Sequence, residues 1–143
     1  MIIKIVNDKQ MLQAAYAIRK SVFVDEQHVP SNLEIDEFED VCSHFLVFSE
    51  DGNAIATSRM RIKDNKVKFE RICVLKEYRG LKVGEQLMQF MEKEVFKLGH
   101  KEIILEAQTQ ALNFYKKMGY QVNSDSFFNC GIEHYKMTKY LNQ

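Results

Sequence analysis

Tryptophan is absent from this chain, and proline occurs once, at Pro30. With one proline, six glycines and no low-complexity tract, there is no stretch that reads as a linker, so residues 1–143 are expected to form one domain. That length is enough to bury a core. No apolar run approaches the ~18 residues of a membrane span, and the opening Met1-Ile-Ile-Lys-Ile-Val reads as a strand without the features of a signal peptide. Charge of one sign is also missing: 20 basic side chains meet 20 acidic ones, so no basic surface points to nucleic acid. The three cysteines, Cys42, Cys73 and Cys130, lie far apart, and no Cys-x-x-Cys or His/Cys pair has metal-ligand spacing. The expectation is a cytoplasmic protein with reduced thiols, no metal, no membrane and no nucleic acid.

What is present is a regular alternation of strands and helices. Ile2–Val6 reads as a strand, and Met11, Ala15, Ile18 and Val22 form the apolar stripe of a helix over 11–24. Residues 25–40 are polar and irregular. His44–Phe48, Ala54–Ile62 and Val67–Val74 read as three strands joined at Asp51-Gly52 and Asp64-Asn65. A helix follows with Val83, Leu87, Met91, Val95 and Leu98 inward and Gly99 as its stop. Then come a strand at Glu102–Ala107, a helix at Gln110–Met118, and strands at Gln121–Val122 and Ile132–Tyr140.

The segment Arg71 to Met88 joins a strand to a helix through Arg79-Gly80-Leu81-Lys82-Val83-Gly84. A helix start leaves backbone N–H groups unpaired and carries about half a positive charge. Glycines at 80 and 84 permit close backbone approach, and Arg79 and Lys82 add cationic charge, which together describe a cradle for a pyrophosphate. A nucleotide-hydrolysing loop would need Lys-Ser/Thr after its last glycine, but Glu85 follows Gly84. The dinucleotide-binding pattern of three spaced glycines is missing too.

This loop resembles the Gln/Arg-x-x-Gly-x-Gly/Ala loop of the Gcn5-related N-acetyltransferases (GNAT), with Lys82 where the pattern has its middle glycine. Gln108-Thr-Gln-Ala-Leu-Asn-Phe-Tyr-Lys-Lys-Met-Gly-Tyr120 is similar to the family's Asn-x-x-Ala-x-x-Phe-Tyr-x-x-x-Gly-Phe block, with Gln108 in place of asparagine. Val22 to Pro30 and Gly131-Ile-Glu-His134 resemble a narrower branch, the small bacterial ElaA/YjcF-like acetyltransferases, whose loop can read Arg-Gly-x-Lys-Val-Gly as it does here. The resemblance spans nearly the whole chain. It implies an α/β (α+β) single-domain fold, a central mixed, mostly antiparallel sheet flanked by helices, and transfer of an acetyl group from acetyl-coenzyme A to an amine.

Residue by residue, the resemblance implies that Ile72, Cys73 and Val74 line the pantetheine arm. It further implies that Arg79, Gly80, Leu81, Lys82, Val83 and Gly84 hold the pyrophosphate and that Gln108 and Phe114 complete the coenzyme site. Tyr115 would protonate the departing thiolate; spacing alone allows it to be a packing residue. The amine must be neutral to attack, and Glu26, Glu70, His44 and His134 are the candidate bases. Arg71 is placed either to meet the acceptor or to pair with an acid. Cys73, with no histidine adjacent in sequence, reads as core.

Asp25, Glu26, Glu34, Asp36, Glu37, Glu39 and Asp40 form an acidic run with no lysine or arginine. It reads as a negative lip that attracts cationic acceptors, or as a solvated loop. The acceptor is expected to be a primary amine on a small molecule or peptide, with a glucosamine-phosphate-type amino sugar as the alternative. A coenzyme-A-binding sensor without catalysis is the alternative from another class. Monomer and homodimer are both open.

Overall fold

The computed structural model describes residues 1–142. Its eight strands are β1 (Ile2–Ile5), β2 (Ser43–Phe48), β3 (Ala54–Lys63), β4 (Lys66–Val74), β5 (Glu102–Gln108), β6 (Gln121–Val122), β7 (Phe127–Asn129) and β8 (Ile132–Tyr140). They form one sheet in the order β1-β2-β3-β4-β5-β8-β6, with β7 also on β8. Every pairing is antiparallel except β4 with β5. A parallel neighbour requires a crossover, and α3 (Val83–Lys97) supplies it.

Alternation along β2 divides the interior into two clusters. Phe45 and Val47 face a core with Val67, Phe69, Ile103 and the Val83, Leu87, Met88, Met91 and Val95 stripe of α3. Leu46 points the other way, onto Ala15, Ile18 and Val22 beneath α1 (Lys9–Arg19). Helices therefore cover both sheet faces, as the resemblance implies. The β3–β4 hairpin turns on Asp64 and Asn65, whose φ values of 51° and 63° are those of a two-residue turn matched to strand twist.

Three expectations change. The first helix does not run evenly to Val24; after Arg19 the coil widens into a π-helical segment, Lys20–Glu26. Leu98 is 60% exposed, because it ends the helix just before left-handed Gly99 (φ 82°) and has rotated off the apolar stripe. Strand β7 was not anticipated: three residues are too few to show a period, and only pairing to Ile132, Glu133 and His134 makes it a strand. Within 25–40 the chain forms α2 (Ser31–Glu34) and a 3₁₀ turn at Glu39–Val41.

Candidate active site

The sheet forks in its middle. β4 pairs with β5 only through Val67–Ile103, Lys68–Ile104 and Phe69–Leu105. Against β3, one residue, Ser58, faces both Arg71 and Ile72, a bulge in which Arg71 takes a left-handed φ of 58°. A bulge bends the strand that carries it, so β4 departs from β5 just where the bulge lies. Leu75 N–H bonds Ile55 O on the β3 side. Antiparallel alternation therefore turns the N–H and C=O of Val74 to the opposite side, where no strand follows. A cleft of about 1090 Å³ opens there, and Ile72, Cys73 and Val74 line it.

The loop after β4 ends on the same cleft. Gly80 needs its glycine for conformation, at φ 80° with open space around it, and Lys82 is also left-handed at φ 64°. Lys82 stands where the family pattern has glycine, so the glycine of that pattern reflects backbone geometry that lysine here adopts under strain. No side chain caps the start of α3, which leaves its first N–H groups available to an anion. Gly84 serves packing instead. A Cβ there would meet Phe114 Cζ at 3.3 Å and Val74 Cγ2 at 3.8 Å, so glycine lets the aromatic ring of α4 (Leu112–Lys117) close on the loop. Arg79 is already engaged: its guanidinium donates to Val74 O at 2.9 Å and to both Glu26 oxygens at 3.0 and 2.8 Å.

Tyr115 reaches the cleft from α4. Its ring packs edge-on against Phe114 and Tyr120, with centroids 5.0 and 6.0 Å away. Burial, with a smaller effect from Cys73, raises its pKa above that of an ordinary phenol, so the hydroxyl keeps its proton at neutral pH. Cys73 is 6% exposed, and burial pushes its thiol up to about 12, which suits a core residue rather than a nucleophile.

The four base candidates separate. His44 is buried on β2 outside the cleft, with Nε2 2.9 Å from Glu39 O; burial lowers its pKa, and its role is structural. Glu26 is held by Arg79 as above and does not line the cleft. Glu70 lines it but contacts Arg59, Arg61 and Lys68 at 3.1, 3.1 and 3.2 Å. Against its desolvation, these cations hold its pKa below the ordinary value, which makes it a poor base. His134 lines the cleft, opposite Gln108 in the β5–β8 register. Its Nδ1 is 2.7 Å from Ile132 O. A carbonyl only accepts, so Nδ1 carries a hydrogen, and in the neutral ring the lone pair is then on Nε2. The ring stacks on Phe127 at 5.8 Å.

The acidic run divides: Glu34 and Glu39 are buried and Asp36 half-buried in ion pairs, while Asp25, Glu26, Glu37 and Asp40 are exposed. Arg19, 1% exposed, donates to Glu34 at 2.9 Å and to both oxygens of Glu39 at 2.8 and 2.7 Å. Arg59, also 1% exposed, forks onto Asp36 at 2.8 and 2.7 Å. Arg71 reaches Glu34 and Asp36. Asp25 and Glu26 pair with Lys20 and Arg79. The hydrogen bonds of Arg59 hold Asp36 at about 2, and against desolvation those of Arg19 hold Glu39 at about 2. The steering reading is corrected: four of the seven carboxylates, Glu26, Glu34, Asp36 and Glu39, are paired with cations distant in the chain, and Asp25 with Lys20 five positions before it. Sequence reasoning also missed Lys68 and Glu106, 3.2 Å apart across the fork, and Gln27, which accepts from Gln108 at 2.8 Å. The polar alternation of Lys68 and Glu70 in β4 and Glu106 and Gln108 in β5 was the available signal.

Residues 6–141 match the acetyltransferase (GNAT) domain family. The N-acetyltransferase YjcF of Bacillus subtilis, itself uncharacterized, is 43% identical over 136 residues, 94% of this chain and 96% of that protein. The crystal structure of Escherichia coli ElaA is similar at a TM-score of 0.82 with 25% identity, covering 97% of this chain and 99% of that one. A crystal structure from Lactobacillus plantarum gives a TM-score of 0.90 at 28% identity, over 99% of this chain and 100% of the other. A forked sheet, an uncapped helix start beside the fork and a protonated tyrosine in one cleft are accounted for together by these matches: the chain is an acyltransferase of the GNAT N-acetyltransferase family, in its ElaA/YjcF-like branch.

Proposed function

We propose that the protein transfers the acetyl group of acetyl-coenzyme A to a primary amine of a small molecule or peptide by direct attack within the forked cleft. The observation that carries this reading is the fork itself, where the Val74 N–H has no strand beside it in the cleft that Tyr115 also lines. The backbone of Ile72–Val74 would pair with the pantetheine arm as an added strand does. The α3 start and Lys82 would take the diphosphate.

His134 Nε2 accepts a proton from the bound ammonium, which frees the nitrogen lone pair. The amine nitrogen then bonds to the thioester carbon, and the carbonyl electrons move to oxygen, where the Val74 N–H stabilises the charge. Collapse breaks the carbon–sulfur bond. The attacking nitrogen must lose a second proton to become an amide. Tyr115 gives its own proton to the leaving thiolate and is refilled, through water, by that nitrogen proton, while His134 returns the first one to solvent. Products are an amide, the free thiol and one proton released to solvent, so atoms and charge balance.

Incubation with acetyl-coenzyme A and a panel of amines, with thiol release and acetylated product followed together, tests the reading. Amine-dependent release is expected. Tight coenzyme binding with no release on any amine would favour a non-catalytic sensor, and a preferred amino-sugar phosphate would replace the acceptor class.

A further inference from the structure

Arg71 occupies the one position in β4 where the two sides of the cleft are mechanically joined. Its backbone, at φ 58°, forms the bulge that opens the fork. Its side chain leaves the sheet and holds the opposite wall: Nε donates to Glu34 Oε2 at 2.9 Å, and Nη2 donates to Glu34 O at 3.0 Å and to Asp36 Oδ2 at 3.3 Å. Those partners end and follow α2, a four-residue helix too short to hold itself in water. Leu33, Glu34, Asp36 and Phe38 of this strap face the cleft, and Leu33 is 50% exposed.

The strap has two other anchors: Arg59 of β3 forks onto Asp36 at 2.8 and 2.7 Å and meets Glu39 at 2.9 Å, and Arg19 holds it from the other side. Arg19 binds Glu34 and Glu39 from within the helical layer, so it ties the strap to its own side. Arg71 ties the Glu34 end to β4, two residues beyond the last β4–β5 pair at Phe69, whereas Arg59 ties Asp36 and Glu39 to β3. A guanidinium that meets a carboxylate and a backbone carbonyl at once fixes both direction and distance, which a lysine ammonium does less well.

We infer that Arg71 is a positioning residue: by pinning Glu34 and Asp36 it sets the acceptor wall against the thioester-binding strand, without touching the reacting atoms. This rests on the acetyltransfer reading above, with the amine entering beside α2. The bulge and the Glu34 pin then belong to one residue, which couples the opening of the fork to the placement of the wall at α2. A loosened wall would misplace the amine while leaving the Ile72–Val74 backbone and the α3 start where they are.

Arg71→Gly tests this, because glycine keeps the left-handed backbone while losing the side chain. The acceptor kcat/KM is expected to fall about ten- to hundredfold, while acetyl-coenzyme A affinity, measured by calorimetry, stays within about twofold. Amides of residues 31–36 are expected to exchange hydrogen about tenfold faster than in wild type. Arg71→Lys, which keeps charge but not the fork of donors, is expected to fall between the two, and it carries both readouts if Arg71→Gly does not fold. Unchanged exchange at 31–36 would overturn the inference, since a direct acceptor contact would lower kcat/KM without loosening the strap. Equal losses for acceptor and coenzyme would overturn it as well. If wild type acetylates no amine, the functional reading fails, while the exchange comparison still decides whether Arg71 holds the wall.

Discussion

The wall of the cleft made by β4, the loop at 79–82 and α3 is a backbone structure, whereas the wall made by residues 31–39 is an ion-pair structure. On the first side the groups that face the cleft or open toward it are main-chain: the Val74 N–H, the start of α3 without a side-chain cap, and the left-handed turns at Gly80 and Lys82. On the second, short irregular segments are held by Arg19, Arg59 and Arg71 reaching in from α1, β3 and β4. A site for a constant cosubstrate can be cut from backbone that tolerates side-chain change. A site for a variable acceptor gains from side chains, because loop sequence can change while the strands persist.

Tyr115→Phe should have the largest effect and should act on the backbone-built side alone. It removes one proton and keeps the ring, so turnover is expected to fall roughly 10²–10⁴-fold with coenzyme affinity nearly intact. Single-turnover kinetics with a working acceptor checks this, and unchanged turnover would make Tyr115 a packing residue.

Arg59→Met should strike the other wall. Asp36, Glu39 and Glu70 would lose a shared buried partner, and breaking a buried pair from one side costs about 3–5 kcal/mol. Urea unfolding would report it. A loss under about 1 kcal/mol, the range of exposed pairs, would show that the network is hydrated and the contrast between walls overdrawn.

Acid should loosen the ion-pair wall before the backbone wall. Asp36 and Glu39 titrate at about 2 in the fold, against ordinary values of 3.8 and 4.5. Their folded pKa values are depressed, so the stability they add is complete above about pH 5 and is lost as pH falls toward 2. The loss is on the order of 2 kcal/mol per carboxylate. Hydrogen-exchange protection, corrected for the intrinsic rate at each pH, should fall between pH 5 and 3 at residues 31–39 ahead of α3; simultaneous loss would contradict the ordering.

The smallest change is expected for Lys82→Gly. Glycine relieves the left-handed strain, offset in part by its greater unfolded-state freedom, so stability should rise by up to about 1 kcal/mol. Coenzyme affinity should fall less than tenfold from the lost charge. A drop in melting temperature would mean that the Lys82 side chain packs in a way its exposure hides.

How much was legible follows the same division. Arg79 to Gly84 and Gln108 to Gly119 are contiguous, so their local geometry left patterns that a reader of the chain can find. The reason for Gly84 was not legible: its close neighbour is Phe114, 30 positions later, where the apparent purpose was approach of a ligand. His44 and His134 looked alike as strand histidines, and only burial and register separate them. The run from Asp25 to Asp40 was read through its own charges because its arginine partners lie at positions 19, 59 and 71.

By itself, the sequence determined the kind and order of the long elements, the Arg79–Gly84 loop and the tyrosine block, because apolar period, helix starts and turn residues act over a few neighbours. Only the tertiary structure decided which histidine faces the cleft, what the carboxylates are for, and where the sheet forks. Those outcomes depend on a bulge at Arg71 and on charges meeting across 15 to 37 positions of chain. Their energies exist only once burial has removed the water between them.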